Sequence, residues 1–217
     1  MMRYSYYRSI LWLALICLLP LGRAYADNPW WFEARAGMEP FRPSEFGESQ
    51  WWLHYSRGTI FGMAAGWEAR QDISVCLTLM ARVRQCQDWV DSNSWFWNVM
   101  VYDGKPAILK EAMLGSRLHL RTIGQGAYMQ YSIGLQEETF GEIVGDSYNW
   151  GRTIYLGQEK MPERTRYRPI GCVGLGYDQG VKGRFYLGLE GSVLLTFDEV
   201  NAIYSIAAKV GFLGKER

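Results

Sequence analysis

The chain has 217 residues, and its 23 basic and 22 acidic side chains leave a formal charge of +1. That balance excludes the basic excess on which nucleic-acid or polyanion binding rests. Aromatic residues make up 15% of it and glycines number 24 against 7 prolines, while past the N-terminus no apolar run approaches the ~20 residues of a membrane helix.

The first residues read as an export signal. Arg3 and Arg8 form a basic start, residues 10–21 an apolar run, and Ala24-Tyr25-Ala26 a small-x-small cleavage site. Cleavage after Ala26 is expected, which makes residues 1–26 a signal peptide and residues 27–217 one mature domain. The run is short for an anchor helix, and Ala14-Leu15-Ile16 before Cys17 lacks the small residues of a lipoprotein signal. Removing Arg3, Arg8 and Arg23 with no acid leaves a slightly acidic chain. Cys76, Cys86 and Cys172 remain. They show no CxxC or Cys/His metal spacing, and an odd count is no disulfide framework, so they read as small packing residues. No cofactor and no metal is expected.

From Trp30 onward the pattern has a period of two, which separates two faces only on a strand. It is clearest in Ile73–Arg84, where Ile73, Val75, Leu77, Leu79, Ala81 and Val83 alternate with Ser74, Cys76, Thr78, Met80, Arg82 and Arg84. In chain order the predicted strands are residues 30–38, 59–69, 73–84, 111–121, 127–136, 167–177, 184–197 and 200–212. Such lengths suit tilted strands that cross a bilayer. The connections alternate. Residues 70–72, 122–126 and 178–183 are short and turn-like, whereas residues 39–58, 86–106 and 138–166 are long; only Asp198-Glu199 breaks the rule. Short turns at one end and long loops at the other predict an all-β, eight-stranded antiparallel transmembrane barrel. Both termini fall at the short-turn end, which would then face the periplasm, with three long extracellular loops opposite.

In this architecture, residues 30–212 resemble the eight-stranded bacterial outer-membrane barrels typified by OmpA, OmpX and the opacity proteins. The ending Val210-Gly211-Phe212 is similar to the terminal aromatic strand that the barrel-assembly machinery recognises in that family, although residues 213–217 follow it. The resemblance implies the cell outer membrane as location, and outer-membrane lipids and the assembly machinery as partners, with no nucleic acid among them.

One face of these strands carries Glu33, Arg35, Glu68, Arg82, Arg84, Glu111, Arg117, His119, Arg121, Arg168, Glu190 and Lys209. A Lys or Arg facing lipid at the midplane costs about 2–4 kcal/mol. This set must therefore form a lumenal polar network, with Gly62, Gly66, Gly115, Gly134, Gly174, Gly176 and Gly188 making room for long arginines. Bases outnumber acids in the set, which leaves a small anion-conducting path as an alternative to a plugged interior. Outward Trp30, Trp67, Tyr177, Phe185 and Phe212 suit an interfacial aromatic belt at the short-turn end.

The long loops hold Trp51, Trp52, Trp95, Trp97 and Trp150, rings able to stack on sugars or anchor a surface ligand. One catalytic pattern needs weighing. His54-Tyr55-Ser56 with Glu68 is similar to the His-x-Ser and carboxylate of outer-membrane lipid A deacylases, and a histidine base beside a serine makes ester hydrolysis chemically sensible. Arg57 replaces the asparagine of that pattern, the pair comes early in the chain, and an unbroken strand would hold Ser56 and Glu68 roughly 40 Å apart. The expectation is therefore no catalytic residues and a non-enzymatic envelope or surface role, with a lipid A-modifying enzyme or a narrow channel as alternatives. Two architectural rivals remain. Residues 95–102 and 153–156 could add strands to make ten, with Asp103-Gly104-Lys105 as a periplasmic turn, and a soluble lipocalin-like barrel would invert the two faces.

Overall fold

The alternation at Trp30–Met38 and Ile73–Arg84 becomes two strands with those bounds in the computed structural model, which describes residues 30–40, 44–46, 51–55, 57–70, 72–91, 97–149, 155–197 and 201–214. Eight strands form a closed antiparallel barrel: β1 (Trp30–Met38), β4 (Thr59–Arg70), β5 (Ile73–Arg84), β8 (Ala107–His119), β9 (Gly126–Phe140), β12 (Arg164–Lys182), β13 (Phe185–Thr196) and β14 (Asn201–Leu213). Each pairs with the barrel strand before and after it in the chain, and β14 returns to β1 at Phe32↔Phe212. The predicted signal segment, residues 1–26, lies outside the described residues.

Side chains are sorted as the alternation requires. Leu114, Ile133, Leu175, Leu189 and Ile206 are exposed on the outer surface, while Glu33, Arg82, Arg117 and Glu190 are buried within. A soluble barrel would show the reverse, so the lipocalin-like rival is set aside.

Six further strands lie beyond the barrel: β2 (Ser44–Phe46), β3 (Trp51–Tyr55), β6 (Cys86–Asp91), β7 (Trp97–Gly104), β10 (Ile143–Asn149) and β11 (Tyr155–Met161), in the order β11-β10-β7-β6-β3-β2. They pair in hairpins, β2 with β3, β6 with β7 and β10 with β11, one in each long connection. Their ladders prolong those of the barrel. The β8–β9 register at Ile108↔Thr139 continues through Lys105 N donating to Glu142 O (2.9 Å) into Gly104↔Ile143 of β7 and β10. The β9–β12 register at Arg164↔Phe140 continues into Ile143↔Met161.

The ten-strand alternative is thereby corrected. Extra strands exist, but they lengthen the barrel wall rather than widen its circumference, and residues 103–105 sit at the long-connection end. Several barrel strands also outrun their sequence bounds, β9 to Phe140 and β12 back to Arg164. Above the apolar band the outward residues become Lys110, Glu137 and Thr139, so the hydropathy signal stops while the hydrogen-bond ladder goes on.

Candidate functional site

The interior is layered. At the short-turn end, Trp31, Ala64, Cys76, Ile123, Tyr186 and Leu213 form an apolar plug. Ile123 comes from the β8–β9 turn, where Gln125 N donates to Thr122 O (3.0 Å) and Gly124 and Gly126 adopt φ of 78° and 84°. Those left-handed glycines let the turn fold across the mouth and seat Ile123 inside.

Above the plug lies a charged cluster centred on Glu33. Arg117 donates to it through both terminal nitrogens (3.0 and 2.8 Å), Arg35 through Nε (2.7 Å) and Tyr186 through its hydroxyl (3.0 Å). Lys209 lies 3.4 Å from Glu33 and 2.7 Å from Asp178, and it donates to the Tyr128 hydroxyl (2.6 Å). Tyr128 donates onward to Glu190 (2.5 Å), which also accepts from Arg35 (2.7 Å). The Arg117 guanidinium sits between the rings of Trp31 and Tyr128, 4.2 and 4.4 Å from their centroids. A buried cation thus gains ion pairs and two π-faces where water is excluded.

Next comes an apolar layer of Ile60, Met80, Met113, Ile170, Cys172, Leu194 and Ile203. On β8, Met113 separates Glu111 from Arg117; on β12, Ile170 and Cys172 separate Arg168 from Asp178. The outer charged layer follows. Arg82 bonds Glu111 through two nitrogens (2.5 and 3.3 Å), Glu39 accepts from Arg84 (2.8 and 2.7 Å) and Arg82 (3.3 Å), and Glu138 pairs with Arg166 and Arg168 (3.5 Å to the latter).

Of the residues assigned to the lumen from sequence, eleven are buried: Glu33, Arg35, Glu68, Arg82, Arg84, Glu111, Arg117, His119, Arg168, Glu190 and Lys209. His119 Nε2 lies 3.1 Å from Ser74 Oγ near the short-turn end. Arg121 is exposed instead, because β8 ends at His119 and the turn breaks the alternation. The basic excess also needs correcting. Among the described residues Glu39, Glu138 and Asp178 are buried too, so seven buried carboxylates face six buried Arg and Lys side chains, with Arg164 and Arg166 half-buried toward the open end. Asp178, Glu39 and Glu138 all lie just beyond the predicted strands, Asp178 in the segment read as a short turn, which is why the sequence hid them. The inward glycines receive rings more than arginines: a Cβ at Gly66 would stand 2.7 Å from Cζ2 of Trp31, and Gly176 and Gly211 lie under Tyr128 and Tyr186.

Trp51 and Trp52 belong to β3 and Trp97 to β7, whereas Trp95 and Trp150 lie outside the described residues. His54 is also on β3, paired with Ser44 and Asp88. Ser56 lies outside the described residues, and Glu68 sits toward the opposite end of β4, a strand that runs unbroken from Thr59 to Arg70. The geometry therefore assembles no His54–Glu68 pair. Cys76 and Cys172 are free and buried.

The sequence matches no family model, and no curated protein is significantly similar to it. Solved structures do resemble it in shape. The attachment invasion locus protein Ail of Yersinia pestis, solved with a heparin analogue, is 9% identical, with a TM-score of 0.47 over 86% of this chain and 99% of its own. The N-terminal barrel domain of Pseudomonas aeruginosa OprF is 14% identical, with a TM-score of 0.42 over 86% and 97%. The Escherichia coli outer-membrane protease OmpT is 12% identical, with a TM-score of 0.41 over 87% and 95%. The likeness lies in barrel architecture, and no ligand or activity follows from it.

Proposed function

We propose that this chain is an integral outer-membrane protein with a closed lumen and a non-enzymatic role at the envelope surface, exercised by the hairpin wall. The observation that carries the membrane part is the outer band. Along β8 and the residue after it the band runs from exposed Lys110 to exposed Leu120, with Arg121 beyond, and on β9 and β12 it is bounded above by Glu137 and Tyr167. Lys110 and Tyr167 both bond Glu137 (2.8 and 3.3 Å), a polar row across three strands. About ten residues at ~3.3 Å each, tilted by ~40°, span about 25 Å, the height of an outer-membrane hydrocarbon band.

The closed lumen rests on the plug, the two charged layers and the apolar layer between them. With the lumen filled, the wall is the part of the molecule shaped for contact. The proposed orientation places it outside the cell, within reach of a surface ligand. The test is heat-modifiable gel migration of the membrane fraction, combined with protease treatment of intact cells. Cleavage confined to residues 39–58, 86–106 and 138–166, with a protected barrel core, is expected. Recovery of the mature chain entirely among soluble periplasmic proteins would overturn the proposal, and stepwise conductance of the purified protein in planar bilayers would overturn the closed lumen.

A further inference from the structure

The wall above the membrane band is not equally high all round. Pairing between β12 and β13 reaches Ile170↔Thr196, with Phe197 N donating to Pro169 O (3.3 Å) one step further. Pairing between β1 and β14 reaches Met38↔Ile206. The β9–β12 ladder instead continues to Arg164↔Phe140 and on into β10 and β11. Among the described residues no wall strand stands over β13 and β14, and the wall they form is notched there. Among the described residues, 164–168 pair on the β9 side only and form one edge of that notch.

The inward positions of that edge are Arg164, Arg166 and Arg168. The guanidinium carbons of Arg164 and Arg166 lie 5.2 and 4.9 Å from the centroid of Phe140, and both residues are half-buried rather than sealed in. With Arg82 and Arg84 the described inward residues at this level carry five guanidinia, against the carboxylates of Glu39, Glu111 and Glu138. The cluster below the apolar layer has the opposite bias, with Glu33, Glu68, Asp178 and Glu190 against Arg35, Arg117 and Lys209. Among the described inward residues, the excess of positive charge thus lies toward the open end. Its height is also set: Tyr167, the outward neighbour of Arg166 and Arg168, belongs to the polar row that bounds the hydrocarbon band.

We propose that this notch binds a phosphate group, presented sideways by the headgroup of an outer-leaflet lipid. Planar guanidinium forks match phosphate oxygens two at a time, and stacking on Phe140 holds two forks in place before the ligand arrives. The lateral opening lies at the depth where headgroup phosphates sit. A soluble phosphate would meet the same groups from above. The inference rests on the membrane orientation proposed above.

The full chain is folded into phosphatidylcholine nanodiscs containing a minor fraction of phosphatidic acid, and retained lipid is read by native mass spectrometry. Inorganic phosphate is titrated in parallel against protein in zwitterionic detergent. Wild type is expected to retain phosphatidic acid over phosphatidylcholine. R164Q/R166Q should lose that selectivity by about tenfold or more, as the loss of charge-assisted bonds implies, and K110Q/K160Q on exposed lysines should keep it. Should R164Q/R166Q fail to fold, R164Q and F140L read the same site. Saturable binding of inorganic phosphate that R164Q weakens, without lipid selectivity, keeps the phosphate site and reassigns its source to solution. Equal retention of both lipids without phosphate binding, or binding indifferent to these substitutions, overturns the proposal. Heat-modifiable migration scores insertion separately, so failure of the membrane reading is distinguishable from failure of the site.

Discussion

Replacing Arg117 with Met tests whether the lumen is a dry, mutually paired core. Arg117 is fully buried, donates to Glu33 at 3.0 and 2.8 Å and to Gln130 at 2.9 Å, and lies between two aromatic rings. Breaking a buried ion pair by removing one partner costs about 3–5 kcal/mol. The two π-faces add up to about 2 kcal/mol when desolvated. Against this, Arg35 and Lys209 remain beside Glu33 and neutralise it, which places the expected loss near the lower end, about 3 kcal/mol. Replacing Glu33 with Leu should cost more, because three cations then face one another around an apolar side chain. Removing both charges in E33L/R117M should cost less than the two single changes added, since coupled residues in one network depart from additivity by about 0.5–3 kcal/mol. The assay is reversible urea unfolding in lipid vesicles, followed by tryptophan fluorescence. A cost for R117M below about 1 kcal/mol together with additive behaviour would refute the reasoning and point to a water-filled lumen, in which charges are screened individually.

Depth should govern charge insertion on the outer face: Leu114→Arg near the middle of the band is expected to cost about 2–4 kcal/mol and Leu120→Arg at its edge about 0–1, both read by the same unfolding assay. Equal costs would contradict the assigned band. Gly66→Ala should destabilise by about 1–3 kcal/mol, because the new methyl meets the Trp31 ring and the Val75 carbonyl. Gly191→Ala, with nothing within 4 Å, should be neutral or gain up to about 1 kcal/mol. Cys76 and Cys172 should resist a membrane-impermeant maleimide until the barrel is unfolded, and rapid labelling of C86S protein in the folded state would argue for an open interior.

Much of the barrel is legible in the sequence because the apolar outer band imposes a strict alternation on each strand. Ile73–Arg84 obeys it over its whole length, and its bounds can be read directly. The rule lapses outside the band. Lys110, Glu137 and Thr139 face water from strands that are still hydrogen-bonded, so their polarity resembles that of a loop and the hairpin wall goes unseen. Glu39 and Glu138 were missed for this reason, which exaggerated the basic excess. Arg121 and Ile123 fail differently. Period-two counting places Arg121 inside, but a turn with two left-handed glycines restarts the geometry and turns Ile123 inward instead. Trp31 escaped notice because Trp30 beside it is the better belt residue, and the signal that could have found it is Gly66, the small residue on the facing strand at the height of its ring.

The layering bears on where function can reside. A solute crossing this lumen would have to part the Arg82–Glu111 and Arg35–Glu190 pairs, wet the apolar layer around Met113 and Leu194, and displace the plug that holds Ile123. The ion pairs of each charged layer lie within its own level, and the apolar layer stands between the two. The barrier is therefore a sum over independent layers rather than a single gate that one ligand could release. Chain length shows the same division. β12 runs for 19 residues, well beyond what the band requires, and the surplus carries Arg164, Arg166 and Arg168 along the only side where the wall is interrupted among the described residues. A barrel filled within its apolar band and built up above it carries that charged edge at its rim.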